Sequence, residues 1–218
     1  CLEMMINKPI NIRADVTNDN LVGKSHMWGA PDLPADMPYP YVMVQTEDGE
    51  EYPEPLPFVA QIRLADIAHL DAEGLLPHTG MLYVFAAIDY FLGNDTPLET
   101  PMHGEPGDLV KVLYSEEEEG LEPYELHWEG TDESVFMPPM ALQFTCDDSD
   151  DYSARMLGLP FHDEVADEFP NHVVLFQIEE DDRVDLRFFD CGSYYILARP
   201  DDLRRRDFNR ISTSLFTY

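Results

Sequence analysis

Apolar and polar positions alternate in short runs along most of this chain, and turn residues separate the runs. Tyr41-Val42-Met43-Val44-Gln45-Thr46 leads into Glu47-Asp48-Gly49, which predicts a strand entering a hairpin, because glycine adopts positive φ at little steric cost. Residues 109–114 predict a second strand. Tyr124, Leu126 and Trp128 alternate with Glu125, His127 and Glu129, a period of two that predicts a strand with one packed and one wet face. Between them, Glu116-Glu117-Glu118-Glu119-Gly120 predicts a solvated hairpin tip. Ile211, Thr213, Leu215 and Thr217 predict a closing strand. The longest apolar stretch, residues 81–88, is strand-sized and far too short to cross a membrane as a helix. Helices are predicted to be few and short. Residues 64–70 carry apolar side chains at 64, 67, 68 and 70, and residues 149–157 have a cap at Ser149 or Asp150 and a stop at Gly158. A third opens at Pro200-Asp201-Asp202-Leu203, with acids at its positive end and Arg204, Arg205 and Arg206 toward its negative end.

One block of residues occurs twice, in the same order. The first copy reads Met27-Trp28-Gly29-Ala30-Pro31, then Phe58-Val59-Ala60-Gln61-Ile62, then Gly80-Met81-Leu82-Tyr83-Val84-Phe85. The second reads Met156-Leu157-Gly158-Leu159-Pro160, then Val174-Leu175-Phe176-Gln177-Ile178, then Gly192-Ser193-Tyr194-Tyr195-Ile196-Leu197. Ordered self-similarity of this kind marks repeated structural units. The predicted fold is therefore α+β, predominantly antiparallel β with a few short helices, and internally duplicated. Residues 1–17 form an N-terminal segment, and residues 18–218 form one domain of two pseudo-symmetric halves, about 18–146 and 147–218, with the acidic run at 147–151 as their seam.

Composition narrows the partners. The chain has 44 acidic residues against 13 basic ones, a formal net charge of −31. Such a surface repels nucleic-acid phosphates and anionic lipid, and attracts basic proteins and cations. The same acidity also serves solubility. Three cysteines, at 1, 146 and 191, are too few and too scattered for a disulfide framework, which points to a reduced, cytoplasmic setting. Cys1-Leu2-Glu3 ahead of Met4-Met5 reads as an expression remnant; the other reading is a lipoprotein with a lipidated N-terminal cysteine.

Candidate chemistry is sparse. No nucleotide-binding loop, zinc-protease helix, nucleophile elbow or calcium loop is present, and no histidine stands at ligand spacing from another histidine or a cysteine. No cofactor, metal or catalytic group is expected. His162-Asp163-Glu164 is the densest titratable cluster, and the first copy has Asp32-Leu33-Pro34 there, so a solvated loop fits it better than a metal or acid/base site. Cys191 reads as a small buried or half-buried residue. Gln61 and Gln177 alone among four glutamines precede isoleucine within an apolar run. A buried amide must be satisfied, so each either clamps a neighbouring loop's main chain or faces a central ligand groove as one of a pseudo-symmetric pair. The arginines at 204–206 either pair with the helix end and nearby carboxylates or bind an anion.

The motifs resemble the YwqG-like family of uncharacterised, mostly bacterial proteins. The resemblance rests on Gly29-x-Pro31-x-x-Pro34 with Tyr39-Pro40, on Phe58-x-Ala60-Gln61-Ile62 with Leu64-Ala65-Asp66, and on Gly74-Leu75-Leu76-Pro77-x-x-Gly80-x-Leu82-Tyr83. It continues through Leu157-Gly158-x-Pro160, Leu175-Phe176-Gln177-Ile178, Asp190-x-Gly192-x-x-Tyr195 and Asp202-Leu203 before Asp207-Phe208. The family often has Trp at the position of Tyr39 and Gly-Asp at that of Phe189-Asp190. The resemblance implies a duplicated α+β fold and no particular reaction. The functional expectation is a non-enzymatic cytoplasmic binding protein, of immunity or antitoxin type, that engages a basic partner; the candidate binding residues are Gln61, Gln177, His162, Arg204, Arg205 and Arg206. The alternative is a small-molecule-binding or metal-dependent enzyme with its site in a cleft between the halves.

Overall fold

A computed structural model describes residues 8–95 and 97–218 of the chain, so the segment holding Cys1 lies outside the described residues. The strands are β1 (Ile10–Val16), β2 (His26–Met27), β3 (Asp32–Leu33), β4 (Tyr41–Gln45), β5 (Glu51–Pro55), β6 (Phe58–Arg63), β7 (Met81–Ala86), β8 (His103–Gly104), β9 (Val110–Ser115), β10 (Glu122–Pro123), β11 (Met140–Thr145), β12 (Ala154–Met156), β13 (Val173–Glu179), β14 (Gly192–Ala198) and β15 (Ile211–Thr217). Three short helices, α1 (Leu64–Ile67), α2 (Asp163–Glu168) and α3 (Pro200–Arg204), lie between them. Eleven strands form one antiparallel sheet in the order β8-β15-β14-β13-β12-β1-β11-β2-β6-β7-β9, and it curls into a half-barrel. The pairs β3–β10 and β4–β5 stand apart from it.

β1 and β11 run side by side at the centre, and matching strands lie outward on either side. The first flank is β2-β6-β7-β9; the second is β12-β13-β14-β15, with β8 at its edge. β7 and β14 are buried at every position, which is why they read as continuous apolar runs instead of alternating ones. One face packs the main core with Ile12, Ile62, Val84, Ile178 and Ile196. The other face is covered separately on each flank. Over the first, Tyr39, Phe58, Tyr83 and Phe85 pack with partly buried Val42 and Val44 of the β4–β5 hairpin. Over the second, Val165 of α2 covers Val174, Tyr195 and Leu197.

The repeated block marks the same geometry on both flanks. Trp28 and Leu157 both hold positive φ, 57° and 56°, ahead of glycines in the same region. Trp28 N–H donates to Val59 O (2.9 Å) and Leu157 N–H to Val174 O (2.8 Å), where β6 and β13 each carry a register shift. At Gly29 a side chain has no space, since a Cβ there would sit 2.7 Å from Pro139 Cβ.

Four expectations change. Residues 10–16 are not a segment outside the domain; they form the central strand β1. Residues 149–157 are not a helix. Ala154 and Met156 are buried on β12, which pairs with both β1 and β13, and two ladders outweigh a local cap signal. Residues 124–128 do not form a continuous strand: Tyr124 N–H donates to Pro31 O beside the β3–β10 pair, and His127 makes an isolated bridge to Ser134. The acidic tip is not simply solvated: Glu118 accepts from Gly80 N–H (2.5 Å) and Arg63 Nε (3.0 Å), and Glu116 pairs with Arg206 (2.6 Å).

Candidate functional site

Gln61 is fully buried and every polar atom of its amide is used. Its Oε1 accepts from Asp32 N–H (2.8 Å), and its Nε2 donates to Lys24 O (2.9 Å) and to Asp32 Oδ2 (2.6 Å). Asp32 Oδ2 also takes Gly23 N–H (2.9 Å), and Tyr83 Oη donates to Asp32 O (2.7 Å). The side chain clamps the β3 segment against β6 and leaves nothing for a ligand.

Gln177 occupies the matching register position, opposite Tyr195 as Gln61 is opposite Tyr83. Its surroundings differ. Nε2 donates to Glu179 in a short hydrogen bond, and the buried Oε1 has no partner among the described residues. Glu179 also accepts from Ser193 Oγ (2.7 Å), and burial pushes its carboxyl up. His162 is not on a solvated loop. It precedes α2, is 8% exposed, stacks on Phe216 at 3.8 Å, and shares hydrogen bonds with the hydroxyls of Tyr195 (2.6 Å) and Tyr218 (3.1 Å). Burial holds its pKa down. His162 and Glu179 line one cavity of about 250 Å³ together with Tyr152 and Cys191, which is exposed rather than buried.

The predicted residues therefore do not converge. Gln61 and Gln177 are five strand spacings apart along the sheet, on the order of 20 Å, so they do not flank one central groove. The arginines are spent on nearby acids: Arg204 on Asp201 (3.3 Å) and Glu73 (3.8 Å), Arg205 on Asp202 (3.9 Å), and Arg206 on Glu116.

The site that the motifs do not announce lies on the covered face of the first flank. Tyr39, Phe58, Trp128 and Phe136 wall a cleft of about 150 Å³, and Glu54 and Asp89 are its acids. Tyr39 is its central ring, packed on Phe85 (5.2 Å) and Tyr124 (4.6 Å), while Trp128 stands half exposed at the rim. Buried Trp28 also borders it, and its Nε1 has no partner among the described residues. Burial pushes the Asp89 carboxyl up to about 6; the Asn94 amide at 3.5 Å opposes this and the neighbouring Glu54 charge adds to it. Burial raises Glu54 as well. Among the described residues, no lysine, arginine or histidine lines the cleft. Two uncompensated carboxylates among aromatic faces favour a cation, through charge pairing and through the ring quadrupoles. The available signal was Asp89 itself, an acid set directly between the apolar run 81–88 and Tyr90-Phe91-Leu92.

Residues 25–156 and 131–215 match the family model described as a domain of unknown function, DUF1963. The chain belongs to this DUF1963 family. No curated protein matches it. The two DUF1963 regions together span both flanks and both copies of the repeated block. Among the described residues of this DUF1963 chain, no group of three or more His, Cys, Asp or Glu side chains is placed to hold a metal ion. No helix among them is long and apolar enough to cross a membrane.

Proposed function

We propose that this DUF1963 chain is a non-enzymatic cytoplasmic binding protein of the YwqG-like kind, built by internal duplication, that captures a basic protein partner in the manner of an immunity or antitoxin protein. The observation that carries the reading is the aromatic cleft with Asp89 and Glu54 and no cation of its own. An arginine or lysine side chain entering it supplies the missing charge, relieves the desolvated carboxylates and lies against Tyr39 and Trp128. The net charge of −31 steers such a partner toward the surface. Capture from a lysate of the source cell at low and high salt tests the reading. Basic proteins retained at low salt and released at high salt support it; no basic protein in either condition overturns it.

A second reading has its own observation. A small-molecule or metal-dependent enzyme needs a cleft between the halves, and a cleft of about 580 Å³ does lie between β9 and β15, the outer strands of the two flanks. It gathers no catalytic constellation. As a binding cleft, it favours a small-molecule role beside the protein partner.

A further inference from the structure

The cleft between β9 and β15 gathers basic side chains that are scarce elsewhere in the molecule. Lys111, Arg199 and Arg210 line it, three of only 13 basic residues in the chain. Glu105 and Asp202 are its acids; Glu105 is exposed, and the Asp202 carboxylate already faces Arg205 at 3.9 Å. A second cleft of similar volume, about 600 Å³, shows what the ordinary arrangement is: its cations are each neutralised, Arg13 by Asp15, Arg183 by Asp181 and Arg187 by Asp182. In the cleft between the flanks, Lys111 pairs with Asp108 (2.6 Å) and Arg210 with Asp207 (3.2 Å), whereas Arg199 makes no ion pair among the described residues.

Two further groups fit the same ligand. His172 borders the cleft, and its Nδ1 is buried without a hydrogen-bond partner among the described residues. Burial and the nearby Arg199 charge both keep the ring neutral, so Nδ1 can carry the proton and donate it. Phe208, 5% exposed, adds an apolar wall beside the cations. A concave site that holds an unpaired arginine attracts anions locally even within an acidic protein, because low-dielectric walls focus the field of the nearest charge.

We infer that this cleft binds a small organic anion that presents a carboxylate or phosphate to Arg199 and the His172 Nδ1–H and an apolar part to Phe208. The inference rests on the second reading above and adds the class of ligand. Thermal unfolding at constant ionic strength, with inorganic phosphate, phenyl phosphate, benzoate and neutral benzyl alcohol as probes, tests it. Phenyl phosphate or benzoate should raise Tm more than inorganic phosphate does. Arg199→Gln should weaken that binding by about tenfold, the loss of a charge-assisted contact, and exposed Arg187→Gln, remote from this cleft, should leave it unchanged. Equal weakening by both variants, or no stabilisation by any anion, overturns the anionic class. If benzyl alcohol stabilises the wild type and Arg199→Gln equally, a small-molecule site remains without the anion. If no probe stabilises the protein, the small-molecule reading fails too.

Discussion

Gln61 and Gln177 sit at matching positions of matching strands, yet one is saturated with hydrogen bonds and the other has an empty carbonyl. The difference comes from what crosses each strand. Over β6, the β3 segment brings the Asp32 amide and carboxylate to the glutamine. Over β13, the chain turns into α2 and presents His162 to Tyr195 instead, leaving Gln177 to its neighbour Glu179. A shared scaffold does not imply a shared role. The covers decide, and the hairpin cover of the first flank is also what brings Glu54 to Asp89.

The largest expected effect separates the two glutamines. Gln61→Leu strands the Asp32 amide and its carboxylate in a buried setting and should cost on the order of 3 kcal/mol in urea unfolding. Gln177→Leu loses one bond and removes an orphaned carbonyl, so it should change stability by less than about 1 kcal/mol. Equal costs would break the comparison. Next come the paired tyrosines. Tyr83→Phe and Tyr195→Phe each remove one hydroxyl contact and should cost about 1 kcal/mol. Only Tyr195→Phe should alter the titration of the His162 ring, as followed by imidazole NMR shifts.

Asp89 gives a smaller effect of opposite sign. Its folded pKa of about 6 lies above the ordinary aspartate value, so the folded protein binds a proton that the unfolded chain releases. That contribution to stability is complete below about pH 4 and is lost as pH rises through about 6. Asp89→Asn should therefore raise Tm by roughly 2–4 °C at pH 7.5 and by nothing at pH 4, measured by calorimetry. The smallest effect is at the arginine cluster, where Arg205→Gln should shift stability by less than about 0.5 kcal/mol, because the Arg205 side chain is exposed and its contact with Asp202 is long.

What could be read from the chain was local. The 41–55 hairpin, β9, β15, α1 and α3 follow from period, caps and turn residues within a few positions of each other. β12 did not, because its identity comes from β1 and β13, far away in sequence on either side. His162 was misjudged for the same reason: Tyr195, Phe216 and Tyr218 bury it, and none of them is a neighbour in the chain. The glutamine clamp was half legible, since the repeat located both amides but could not show that only one finds Asp32. The aromatic cleft was illegible, because Glu54 and Asp89 lie on separate strand ends and meet only when the hairpin folds over β7.

The central claim is that a basic partner binds at the aromatic cleft and not merely to a negative surface. Capture at low salt should therefore be compared between the double variant Asp89→Asn/Glu54→Gln and a control, Glu47→Gln/Asp48→Asn, which removes the same charge from the exposed hairpin turn. Loss of the captured basic protein by the cleft variant and its retention by the control is the predicted result. Equal retention or equal loss by the two variants would contradict it.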